Sequence, residues 1–437
     1  MQQKSSVIKQ QTLFDESVVE QPASAKPLKI CLLGYRSNPY SGGQGIYIKY
    51  LSKALVDAGH SVDVISGAPY PHLDPRVKLI KMPSLDLYAN GLGSLRLHHL
   101  KSWANVIEWL SKLTGGFGEP QAFGRRALAY LKKYGRDYDI IHDNQCLAFG
   151  MLKLQKLGFP LVTTVHHPIT QDLDLALNAA RRIRDHLLIK RWHSFVYMQK
   201  YVISRLNYLV TVSDSSRDDI ATAFSLQPSC ISLVHNGIDI EAFAPRENIQ
   251  RIPYRIMATA SADQPLKGLR YLLKALYKLL PEYPEIKLLI IGRPKEDGDT
   301  AKLIRRLKLS NHIEFVSGIT TEKLVDYYAE SQVAVVPSLY EGFGLPAGEA
   351  MSCAVPLVSS SGGALPEVVG DAGIQVPPGD AQALADGIKK LLDNESLRQH
   401  YALAGRKRIE ELFCWQVAAG EMVDFYNKVL EKQNANS

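Results

Sequence analysis

The sequence is poor in cysteine and sets none of it in a pattern. Cys31, Cys146, Cys230, Cys353 and Cys414 are the only five in 437 residues, an odd number with no C-x-x-C pair. That speaks against a disulfide scaffold or a thiolate metal site and for a reducing, cytoplasmic compartment. No apolar run reaches the roughly 20 residues a membrane span needs. Residues 1–27 are polar, with no apolar core of a secretory signal, and read as a disordered lead-in. No G-x-G-x-x-G follows a strand, which removes the basis for a dinucleotide-dependent oxidoreductase. No Asp-x-Asp pair falls near the stretches singled out below, so no metal and no cofactor is expected. The net charge of +7 is small for this length. It suits an anionic small ligand or an anionic lipid surface and does not imply nucleic acid.

What is present is a folded, two-core chain. A hydrophobic fraction of 46% with 22% charged residues is that of a globular protein, and 437 residues exceed one ordinary core. Short β-branched runs alternate with helical patterns, the signature of β-α units on parallel sheets. Strands are expected at Leu28–Gly34, Ser61–Ser66, Ile140–His142, Leu161–Val165, Tyr208–Val212 and Ile231–Val234. A second set is expected at Tyr254–Ala260, Ile286–Ile291, Ile313–Val316, Val333–Val336, Leu357–Ser359 and Ile374–Val376. Between the sets, His235-Asn-Gly-Ile-Asp leads into turn formers and Pro245. This divides the chain into two Rossmann-like, doubly wound lobes, 28–240 and 241–414, followed by a helix over 415–432 that packs back toward the first. Ligands of such sheets sit beyond the carboxyl ends of the strands, so a central cleft between the lobes is the expected site. Met82–Tyr134 and Pro168–Arg205 are too long for plain connections and are expected to hold inserted helices.

Three strand-to-helix corners carry candidate chemistry. Gly42, Gly43 and Gly45 precede a helix, where backbone amides meet an anion; an ordinary tight turn has the same composition. Lys267 lies at the corresponding turn of the second lobe, placed to reach a diphosphate as a point charge or to be simply solvated. The richest stretch is Glu341-Gly-Phe-Gly-Leu-Pro-Ala-Gly-Glu349, where Pro346 suits a first helical turn and the Gly344 and Leu345 amides are left free for phosphate. Glu341 precedes that helix and Glu349 lies one turn inside it, two acceptor-only carboxylates able to hold vicinal hydroxyls. Glu367 reads equally as a helix N-terminal acid or a ligand contact.

These residues resemble the retaining glycosyltransferases of family 4. Glu341-x7-Glu349, Asn236-Gly-Ile-Asp, Lys267-Gly268, Gly362-Gly-Ala-Leu-Pro-Glu and Gly42-Gly43 all match that family's pattern, over roughly residues 28–430. The resemblance implies the GT-B fold, a nucleotide-sugar donor, a hydroxyl acceptor and retention at the anomeric carbon. It implies catalytic roles for His166, Lys267 and Glu341, with Glu341 beside the donor sugar and Lys267 on the leaving diphosphate. It assigns Glu349 to the ribose, the Gly43 amide to the diphosphate, and Phe343, Gly344 and Leu345 to the sugar and phosphate pocket. The family's arginine five or six residues before the lysine is absent, those places holding Ala262 and Ser261, and Arg270 and Arg293 are candidates to replace it. An acid often follows the histidine in the family, whereas His167 does so here, leaving open which histidine lines the sugar. A non-catalytic nucleotide-sugar binding protein and a sugar phosphorylase are competing readings.

Arg181–Arg205 holds seven Lys/Arg and one acid, interleaved with Leu187, Leu188, Trp192 and Tyr197. Such a stretch is either a basic amphipathic helix on an anionic membrane surface, here the inner face, or a lobe-one helix with a solvated side. It or Leu95–Leu113 also qualifies as the acceptor pocket.

Overall fold

The computed structural model describes residues 26–38, 43–170, 173, 177, 180, 182–260 and 263–435. The lead-in through residue 25, Gly42, and the Ser261 and Ala262 positions lie outside them. Two parallel sheets carry the chain. The first has the order β3-β2-β1-β4-β5-β6-β7 and the second β10-β9-β8-β11-β12-β13. Strands β1 (Lys29–Gly34), β2 (Ser61–Ser66), β3 (Lys78–Lys81), β4 (Ile140–Asn144), β5 (Leu161–Thr164), β6 (Leu209–Thr211) and β7 (Ile231–Leu233) form one. Strands β8 (Arg255–Thr259), β9 (Lys287–Ile291), β10 (Ile313–Val316), β11 (Val333–Val336), β12 (Leu357–Ser360) and β13 (Ile374–Val376) form the other. In each sheet the order of strand addition reverses between the first strand and the fourth, β1/β4 and β8/β11, and at such a switch point the loops diverge and leave a crevice. This is the expected pair of Rossmann-like lobes.

The central strands are Val, Ile and Leu runs buried on both faces, as helices covering both sides of a parallel sheet require. β3 was not among the expected strands. Its Lys-Leu-Ile-Lys sequence is half-exposed and sits at the sheet edge, where one face has no cover to demand apolar residues. The Met82–Tyr134 insertion contains the helices Trp103–Leu113 and Glu119–Tyr134, as anticipated. The basic segment forms two helices, Ile183–Trp192 and Phe195–Ile203, in place of one.

The Trp415–Ala435 helix buries Trp415, Ala418, Met422, Val423, Tyr426 and Val429 in the same core as the Gly43–Asp57 helix, β1 and β2. The chain therefore returns from the second sheet to the first. At the return, the Ile238 N–H donates to the Phe413 carbonyl at 2.6 Å. A Cβ on Gly237 would stand 2.5 Å from the Trp415 backbone. The two strands of chain between the lobes are thus pressed together.

Candidate active site

Charge collects where β8 and β11, neighbours in the second sheet, end side by side. After β8 the chain makes the turn Pro265–Lys267, closed by Gly268 at φ 65°. A Cβ at 268 would lie 1.8 Å from the Pro337 carbonyl oxygen, so only glycine lets this turn press on the loop after β11. The Leu339 N–H donates to the Leu266 carbonyl at 2.7 Å, fastening the two loops into one unit. That unit delivers Lys267 to Glu341: Nζ donates to Oε1 at 2.9 Å and to Oε2 at 3.1 Å. Ser338 Oγ donates to the same Oε1 at 2.7 Å. Glu341 is 8% exposed, so its charge is held by these two donors. An ammonium has three hydrogens, and Lys267 keeps donor capacity for a ligand.

Three residues after Glu341, Gly344 adopts φ 98° and starts the Leu345–Ser352 helix. Pro346 in its first turn has no N–H to leave unpaired. The Leu345 amide has no partner within the helix, as at any helix start, and the dipole there favours an anion. A free helix end and a lysine ammonium at one corner have the chemistry to accept an oxyanion.

A cleft of about 410 Å³ opens on this corner, within the ordinary range for small-molecule sites. From the second lobe it is lined by Lys267, Glu341, Phe343, Gly344 and Leu345, and from the first by Gly43, Gln44, Gln145, His166 and His167. Both histidines reach it. Glu349 does not line it. Its carboxyl lies behind Pro346, with the Tyr328 hydroxyl 3.4 Å from Oε2 and 3.4 Å from the Pro346 carbonyl. Desolvation pushes the Glu349 pKa up to about 8, against the lowering effect of the Tyr328 hydrogen bond. Phe343 is 5% exposed and stacks edge-on with Phe413 at 5.9 Å, so it anchors the loop as much as it walls the cleft.

His166 is fixed in one tautomer. Asn144 Nδ2 donates to the Gln44 carbonyl at 3.0 Å, so Asn144 Oδ1 must be the acceptor of the 2.7 Å bond with His166 Nε2. Nε2 therefore carries the proton and Nδ1 the lone pair. Desolvation, helped by His167 and His142, pushes the His166 pKa down to about 3, and the ring is neutral at ordinary pH. The His166 ring also meets Tyr47 edge-on at 4.7 Å. Tyr47, Trp415 and Gln145 line the cleft too, and sequence reasoning missed them. Trp415 was legible only as the start of the C-terminal helix.

Glu367 is an acid in the first turn of its own helix, Leu365–Val369, as one of its two readings had it, and it does not line the cleft. Its carboxylate crosses between lobes and accepts the Asp214 N–H at 2.7 Å and the Ser215 N–H at 2.8 Å, capping the Asp214–Phe224 helix of the first lobe. Burial opposes the charge there, but His235 and these two amides outweigh it and hold the carboxyl below the usual carboxylate range. Beside it, Ser213 and Ser216 Oγ donate to the Gly342 carbonyl at 2.7 and 3.0 Å, and the Tyr340 hydroxyl donates to Asp219 at 2.5 Å. The Glu341 loop is thus held from the opposite lobe.

Arg270, a candidate for the second diphosphate cation, lines a different groove of about 640 Å³ with Lys295, Lys302 and Arg306. Arg293 lines neither groove.

The glycosyltransferase family 4 model matches residues 41–242, and the model for glycosyl transferases group 1 matches residues 245–408. An MMP alpha-(1->4)-mannosyltransferase of Mycolicibacterium hassiacum is 43% identical over 411 residues, 93% of this chain and 99% of that protein. A D-inositol 3-phosphate glycosyltransferase of Kribbella flavida is 26% identical, covering 96% of this chain and all of that one. Among solved structures, sucrose-phosphate synthase from Thermosynechococcus elongatus superposes with a TM-score of 0.68 over 93% of this chain and 100% of that one, at 23% identity. The chain is a glycosyltransferase and belongs to family 4, built on the GT-B fold.

Proposed function

We propose that the protein moves a sugar, with retention, from a nucleotide-sugar donor to a hydroxyl on a carbohydrate acceptor. The observation that carries this reading is the corner itself: Lys267, paired at 2.9 Å with Glu341, beside the open helix start at Gly344 and Leu345. The name of the 43% identical relative, an alpha-(1->4)-mannosyltransferase, makes mannose the first sugar to test.

In the step proposed, the bond from the anomeric carbon to the diphosphate oxygen breaks while the acceptor oxygen bonds to the same face of that carbon. The acceptor proton passes to the departing phosphate oxygen. Negative charge grows on the diphosphate, and Lys267 with the Gly43, Gly344 and Leu345 amides stabilises it there. Glu341 and His166 hold the donor sugar, Glu341 as acceptor of its hydroxyls and His166 through the Nδ1 lone pair. We assign the ribose diol to Glu349, which requires the bound donor to extend past Pro346 beyond the lining of the cleft. These protein groups carry the charge stabilisation, so no divalent metal is obligatory, and transfer should persist in EDTA.

The test is turnover of Lys267→Ala and Glu349→Ala against UDP-, GDP- and ADP-sugars. Undiminished transfer by both variants refutes the assignment of the site.

An anionic membrane surface is the further partner we propose. Ile183, Leu187 and Leu188 are 83%, 64% and 49% exposed on a helix that also carries Arg184 and Lys190, an interfacial pattern. Among the described residues no helix is long and apolar enough to cross a membrane.

A further inference from the structure

Beyond Gln44 and Gln145 the carboxyl edge of the first sheet continues into a wall that the donor machinery does not use. β1 and β4 are neighbours, so Tyr35 and Arg36, which follow β1, leave the sheet beside Gln145, which follows β4. Arg36 Nη1 donates to Glu119 Oε2 at 3.1 Å, the arginine side chain 34% exposed and the glutamate 9%. Burial pushes the Glu119 pKa up to about 7 even though Arg36 lowers it. The Pro120 carbonyl accepts a 3.2 Å hydrogen bond from the Cys146 thiol, which ties Glu119 to the turn carrying Gln145.

Aromatic rings run outward from the same place. Gln44 hydrogen-bonds the Tyr35 hydroxyl. The Tyr35 ring meets Phe117 edge-on at 6.2 Å, and Phe117 stacks on Trp192 at 5.5 Å and 23°. Arg191 donates to Thr114 Oγ1 at 3.1 Å and to Ser194 at 2.7 Å, fastening the turn that holds Phe117 against Trp192. Trp192 is 38% exposed. The row therefore begins at Tyr35, bonded to Gln44 of the cleft, and ends at solvent.

A pyranose presents apolar C–H faces and a rim of hydroxyls. It is recognised by an aromatic surface together with polar groups that donate and accept side by side. An arginine beside a carboxyl group offers both functions at one place, which suits the hydroxyls of a sugar. Resting on the proposed transferase reading, we propose that this row is an extended acceptor subsite for an oligosaccharide: Arg36 and Glu119 bridge hydroxyls of the rings nearest the cleft, and Phe117 and Trp192 carry the rings beyond. The acceptor is then a chain of several sugars, and binding strengthens with its length.

The test is saturation-transfer NMR titration of the full chain with α-1,4-linked manno-oligosaccharides of one to four rings and, in parallel, malto-oligosaccharides of the same lengths. Binding is expected to tighten by about tenfold from the shortest to the longest in one series, the weight of one aromatic contact. Trp192→Ala is expected to flatten that gain and Trp192→Phe to restore most of it, with binding of a nucleoside diphosphate unchanged in both. Because Trp192 is partly exposed, the variants should stay folded, and an unchanged melting temperature checks this. Length-independent binding in the wild type, or a gain that survives Trp192→Ala, overturns the subsite and leaves the transferase reading standing. Loss of nucleoside diphosphate binding by the wild type itself would strike that reading instead.

Discussion

Replacing Lys267 with alanine separates the two jobs the structure gives this side chain. In the free protein its ammonium neutralises Glu341, a carboxylate 8% exposed whose other partner is Ser338. Removing the lysine leaves that buried charge with one neutral donor. This costs about 1–3 kcal/mol of stability, a fall of several degrees in Tm for a chain of this kind. In the reaction the same ammonium is to meet the leaving diphosphate, and one preorganised charged donor is worth about 2–4 kcal/mol in the transition state. Lys267→Ala should therefore lower kcat by about 30- to 1,000-fold. The double variant Lys267→Ala/Glu341→Gln resolves the two effects. It removes the stranded charge, so Tm should recover toward the wild-type value while turnover stays low. The assay is initial-rate transfer with each nucleotide sugar, read beside a thermal melt. If the double variant regains activity along with stability, or if Lys267→Ala keeps within about threefold of wild-type kcat, Lys267 is a structural partner of Glu341 and the reasoning fails.

Three further outcomes follow from the geometry. The Glu349 carboxyl has its pKa raised by burial from 4.5 to about 8. The folded state therefore holds a proton that the unfolded chain releases, and stability falls as pH rises through that window. Glu349→Gln should flatten the slope, melting higher than wild type at the alkaline end and no higher at the acid end; parallel pH–Tm curves would contradict this. Glu367→Gln should weaken the bridge to the Asp214 and Ser215 amides, since one oxygen becomes a donor. Small-angle scattering is expected to show a larger radius of gyration and kinetics a higher donor KM, with an unchanged profile as the contrary result. Ile183→Asp with Leu187→Asp should abolish sedimentation with phosphatidylserine vesicles at low salt while leaving transfer to a water-soluble acceptor intact; wild type that does not sediment removes the membrane partner.

The strands other than β3 were legible because they follow from local pattern: β-branched runs too short for helices, alternating with helical stretches. The corner at Lys267 and Glu341 was legible for a similar reason. Gly268 and Gly344 mark turns that only glycine can make, and the residues beside them have little freedom. Properties of the docked lobes could not be read this way. Glu367 lies about 150 residues along the chain from the amides it caps, and nothing local to Leu-Pro-Glu distinguishes a cap for its own helix from one for another. Helical spacing placed Glu349 one turn inside the helix, but whether that turn faces the cleft or the space behind Pro346 depends on Tyr328, which comes from a different helix. The outward row Tyr35–Phe117–Trp192 joins a loop to two separate insertions, and no single stretch of sequence contains its signal.

A crystal structure with a bound nucleoside diphosphate would bear most directly on the anion corner between the lobes. The expected result is a diphosphate whose oxygens lie within hydrogen-bond distance of Lys267 Nζ and the Leu345 amide, with Glu341 turned toward the place of the sugar. A diphosphate seated instead in the groove of Arg270, Lys295 and Arg306, with the Lys267–Glu341 pair undisturbed, would contradict it.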